Sequence, residues 1–177
     1  MSAALWLLAA QSLLGAFDTL YYHEWRAKLP TLVPLAGIEL RLHALRDFIY
    51  AVLFVTLPLV TWQGAWAVVL IALLIAEVVV TLADFAVEDR VRVPLGGLYS
   101  GERSTHAVMG IVYGAFLAHL IPVVVGWLSL PTRMYVAPVP VSMALSGWLM
   151  ATGVGVFLSG IRDLAAAYKV RLARWPW

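Results

Sequence analysis

The chain of 177 residues contains no cysteine. That excludes disulfides, thiolate metal sites and a cysteine nucleophile. Charge is also scarce: 12% of residues are charged against 63% hydrophobic, far from the balance of a soluble domain. G-x-S-x-G, H-E-x-x-H, the P-loop and G-x-G-x-x-G are all absent. No internal repeat or low-complexity segment interrupts the chain. The net charge of +2 says little, because the distribution of charge carries the information.

What remains is a set of apolar stretches, several approaching the ~20 residues needed to cross a bilayer. They predict an all-α, integral membrane bundle of five transmembrane helices in a single polytopic domain. The helices are placed at about 3–26, 39–62, 65–88, 104–128 and 141–168. Pro30 and Pro34 stop the first. No basic region precedes that first segment, and it runs into Asp18 and Tyr21-Tyr22 rather than a small-residue cleavage site. It is therefore read as a retained helix. Gln63-Gly64 reads as a tight connection, and Pro94 with Gly96-Gly97 marks a loop. Ser104 or Thr105 is a reasonable N-cap for the fourth helix. Small residues on the fifth, among them Gly147, Gly153, Gly155 and Gly160, permit close helix packing. The basic tail with Trp175 and Trp177 reads as an interface anchor, with no nucleic-acid site.

Eleven of the twelve basic residues fall on one side of such a bundle, and only Arg133 on the other. The positive-inside rule then places the N-terminus outside and the C-terminus in the cytoplasm of a bacterial-type inner membrane. All ten acidic residues sort to the cytoplasmic half, with His23, His43 and His106. Four helix ends thereby bring carboxylates and imidazoles to one depth.

The stretch from Glu77 to Asp89 is the focus. Glu77, Thr81, Asp84 and Glu88 fall on one helical stripe, at the end of a run without charge. A carboxylate inside an apolar helix is expensive and needs a partner. Asp18, Asp47, Glu77 and Asp84 begin or interrupt apolar runs and, with His43 and His106, are the candidate metal ligands. Carboxylate and imidazole suit iron or manganese, as one or two non-haem ions. Tyr50 and Tyr113 are candidate catalytic groups, as hydrogen-bond donors or redox-active phenols. Helix 4 offers Glu102 and His106 at i, i+4, and helix 2 offers His43 and Asp47. Neither pair matches the Glu-x-x-His of soluble di-iron bundles, and four histidines are too few for the eight-histidine pattern of membrane desaturases. A rim of ion pairs at the membrane border accounts for Glu24, Glu39, Glu88, Asp89 and Asp163 without any function. His23 reads as interfacial, with metal ligation as the alternative, and His119 as a packing residue or polar contact.

Three functions fit this pattern. The first is a non-haem metal oxidoreductase in contact with the lipid bilayer, acting on a lipid, quinone or other apolar small molecule. The second is a non-enzymatic membrane subunit or small proton- or ion-coupled carrier. The third is a single-haem b-type electron carrier using His43 and His106. Nothing in the sequence specifies an oligomeric state or a partner subunit.

Overall fold

A computed structural model of the protein describes residues 1–33 and 35–170. Pro34 as a helix stop, and Arg171, Arg174, Trp175 and Trp177 as an anchor, lie outside the described residues. Five helices account for most of the chain. Helix α1 runs Ser2–Phe17 and continues as a π-helical segment, Asp18–Arg26. Then come α2 (Gly37–Thr56), strand β1 (Val60–Gln63), α3 (Ala65–Val91), α4 (Ser100–Leu128), strand β2 (Arg133–Val136) and α5 (Met143–Ala167).

Four of these are long and apolar enough to cross a membrane: Ser2–Arg26, Ala65–Val91, Ser100–Leu128 and Met143–Ala167. Helix α2 is not in this set, because Glu39, Arg41, Arg46 and Asp47 crowd its first half. The outer surface carries large apolar side chains, such as Ile111 (73% exposed), Leu13, Val79 and Leu158. Charged groups such as Asp18, Glu39, Glu77, Asp84 and Arg92 are buried. An apolar exterior around a polar interior is the arrangement that a hydrocarbon solvent favours. His119 is exposed on the outer face of α4.

The second helix is shorter than its hydropathy suggests. It ends at Thr56 rather than Trp62, since Pro58 has no N–H to continue the ladder. The chain then extends, and β1 pairs antiparallel with β2, from Val60 opposite Val136 to Gln63 opposite Arg133. Both segments hold β-branched or aromatic residues, which suit a strand as well as an apolar helix end. Gly64 turns the chain out of β1 with φ of 58°, and a Cβ there would lie 2.6 Å from Thr132 Cα. The fourth helix also begins earlier, at Ser100 with Tyr99 as N-cap. Ser104 and Thr105 are not caps: their hydroxyls donate to the carbonyls of Ser100 and Gly101 one turn back. Glu102 therefore sits within the first helical turn.

The apolar core runs between all five helices and includes Leu8, Leu53, Leu70, Phe116 and Leu149. The closest helix pairing is α2 on α5. It depends on Gly153 and Gly160: a Cβ on Gly153 would lie 2.7 Å from Val55 Cγ2, and one on Gly160 3.1 Å from Asp47 Cβ. Gly147 and Gly155 face open space instead.

Candidate metal centre

At one end of the bundle, side chains from all five helices converge. The π-helical segment explains part of this. Its hydrogen bonds run i to i+5, so Asp18 and His23 come to one face, whereas α-helical spacing would separate them. His23 Nε2 lies 3.3 Å from Asp18 Oδ2 and 3.4 Å from Glu102 Oε1. Neither contact has hydrogen-bond alignment, so this buried nitrogen is aimed between two carboxylates. His106 Nε2 lies 3.1 Å from the same Asp18 oxygen, and its Nδ1 lies 3.5 Å from Glu88 Oε2. One atom each from His23, Glu88, Glu102 and His106 falls within 4.8 Å of the other three. Metal–ligand bonds of about 2 Å would require only a small contraction of such a group. Asp18 Oδ1, Glu88 Oε1 and Glu102 Oε2 are buried without a hydrogen-bond partner among the described residues.

Two further layers flank this group. On one side Arg92, 1% exposed, lies 2.8 Å from Glu39, 3.2 Å from Glu102 and 3.6 Å from Glu88. Burial presses its pKa down, but the hydrogen bond to Glu39 and the charges of Glu39, Glu102 and Glu88 outweigh it and raise the value above that of an ordinary arginine. On the other side the ring of His43 stacks on His23, centroids 4.5 Å apart. His43 Nε2 lies 3.3 Å from Asp84, and its Nδ1 3.8 Å from Asp163. Arg46 donates to Asp84 at 3.1 Å. Across these layers six carboxylates (Asp18, Glu39, Asp84, Glu88, Glu102, Asp163) face two guanidiniums (Arg46, Arg92) and three imidazoles. Even with every imidazole protonated, negative charge is in excess. A low-dielectric interior does not hold such an excess bare, so protons or a bound cation must balance it.

Of the ligands expected from sequence, Asp18 and His106 meet at this group, while His43 and Asp84 pair in the next layer. Asp47 and Glu77 pair with no histidine among the described residues. Glu77 accepts from Tyr50 Oη at 3.0 Å and from Thr81 at 2.9 Å. Tyr113, buried beside Tyr50 with ring centroids 6.1 Å apart, has no hydrogen-bond partner for its hydroxyl among the described residues. Glu88, Glu39 and Asp163 read from sequence as rim residues, and His23 as interfacial or a ligand, yet all are buried. Asp89 does behave as a rim residue, in an exposed pair with Arg103, and Glu24 is paired with Arg162. The His23 imidazole adjoins the rings of both His43 and His106, the pair expected to hold a single haem.

Beside the cluster, helices α1, α2 and α5, with Met109 of α4, line a half-open cavity of about 310 Å³. Its wall is mostly apolar, with Phe54, Met109 and Val156, and carries Arg46, Asp47, Tyr50 and Gln11. Gln11 escaped the sequence reading, although an amide inside an apolar run carries the same signal as Glu77. The fold and the site define an all-helical protein with membrane-length apolar helices and a buried histidine–glutamate group. No protein-family model, curated protein or solved structure matches the chain.

Proposed function

We propose that this is a five-span membrane protein, N-terminus outside, that holds a transition metal on the cytoplasmic side and uses it in an oxidoreductase reaction on an apolar substrate. The observation that carries the metal is the approach of His23, Glu88, Glu102 and His106 to within 4.8 Å of one another. Two imidazoles with two carboxylates suit iron or manganese and leave positions open for chemistry. Asp18, beside both histidines, would orient them or join them as a ligand. The cavity next to the cluster supports an apolar substrate. The test is metal analysis of purified protein. Iron or manganese at one or two equivalents is expected in the wild type, with loss in His106→Ala and Glu88→Gln. Metal-free wild-type protein that stays metal-free after loading with either ion removes the proposal.

One observation favours a second reading, a proton path. His106, Asp18, His23, His43, Asp84 and Arg46 form an unbroken series of contacts. Proton uptake by reconstituted, metal-free protein, abolished in Asp84→Asn, would favour it over the metal.

A further inference from the structure

The cavity between α1, α2 and α5 has a shape and chemistry of its own. Its lining runs from Gln11 to Leu20 on α1, about 13 Å at 1.5 Å per residue. Polar groups on its wall stand at two levels. Asp47 is at one, beside Arg46, whose Nη1 already donates to Asp84. Gln11 and Tyr50 are at the other, three residues further along α2, about 4.5 Å. Gln11 is only 4% exposed. Its Nε2 donates to Tyr50 Oη at 3.3 Å, but its Oε1 has no partner among the described residues. A buried amide oxygen left unpaired is destabilising, so a ligand that donates to it gains what the empty wall loses. The unpaired group at the Gln11 level, Gln11 Oε1, is an acceptor, and so is the Asp47 carboxylate at the other level, which stands beside Arg46 and Ser159.

We infer that this cavity binds a ring-hydroxylated amphiphile of the quinol type. A para-dihydroxylated ring places its two donors about one helical turn apart and can meet both acceptors, while an apolar tail lies along Phe54, Met109 and Val156. A single-headed alcohol meets one acceptor. The oxidised quinone has no donor and meets neither. Arg46 links this wall through Asp84 and His43 to His23 of the metal group, so the ring lies next to that group without touching it. The inference rests on the proposed function only in naming that function's substrate; binding itself is independent of the metal.

The experiment uses the full chain in detergent, kept anaerobic, and titrates it with a decyl-substituted benzoquinol, the matching benzoquinone and dodecanol. Binding is read from tryptophan fluorescence or calorimetry. The quinol should bind at least tenfold tighter than either of the others. Gln11→Leu should weaken the quinol about tenfold, the worth of one buried hydrogen bond, and leave the quinone unchanged. Gly155→Leu fills the lumen from α5 at a position where an added Cβ meets nothing within 4 Å, so it should fold and block all three probes. Equal binding of the three probes, or quinol binding that survives both Gln11→Leu and Gly155→Leu, overturns the inference. Quinol binding in a wild type that takes up no metal upholds it while removing the metal.

Discussion

Arg92→Met removes the guanidinium that stands among Glu39, Glu88 and Glu102 and keeps roughly its volume. Arg92 is 1% exposed, and Glu39 and Glu102 are fully buried, so solvent does little to screen the change. Removing one partner of a buried ion pair costs about 3–5 kcal/mol, because the other charge stays behind. Here three carboxylates stay behind, and the upper end of that range is expected. The assay is unfolding in a fixed detergent, with chelator present. Two conditions should restore stability. Acid protonates the stranded carboxylates, so the gap to wild type narrows as pH falls and widens as it rises. Manganese should also help, because Glu88 and Glu102, freed from Arg92, become better ligands for the same group. At a hundredfold excess over its dissociation constant, a ligand returns about 2.7 kcal/mol. A loss below about 1 kcal/mol in chelator, indifferent to pH and to manganese, refutes the electrostatic reasoning.

Other outcomes follow from single contacts. Glu77→Gln keeps an acceptor for Tyr50 and Thr81, so metal content should not change and stability should move by less than about 1 kcal/mol; metal loss would place Glu77 among the ligands. Gly153→Val forces α2 and α5 apart and should cost about 1–3 kcal/mol in detergent unfolding, while Gly147→Ala, facing open space, should be near neutral. Reporter fusions after Lys28 and Arg92 should report cytoplasm and a fusion after Arg133 the outside, a pattern that requires α2 to cross despite its charged first half.

The gross helical plan could be read from hydropathy because apolar runs of span length have few other uses. The end of α2 was legible only in part: Pro58 marks a break in the ladder, but Leu57 to Trp62 is mostly apolar in a helix or in a strand, and the pairing of Val60–Gln63 with Arg133–Val136, with Ala137 and Val139 donating to Leu59 and Pro58, is what makes it extended. Asp18 and His106 stood out as polar groups interrupting or opening apolar helices. Glu39, Glu88 and Asp163 did not, since a helical stripe shows which residues share a face but not which neighbour covers it. Asp18 and His23 are five apart, which an α-helical wheel separates and a π-helical segment reunites. Arg92 stands two residues before Pro94, where the sequence marks a loop, yet it is the most deeply buried basic side chain among the described residues.

The metal itself is tested most directly by X-ray absorption on iron- or manganese-loaded protein. The expected spectrum has a nitrogen and oxygen shell near ~2.1 Å with the outer-shell scattering of two imidazoles, from His23 and His106. That imidazole signal should halve in His23→Ala. An oxygen-only shell, or a spectrum that His23→Ala and His106→Ala both leave unchanged, contradicts a histidine–glutamate metal centre.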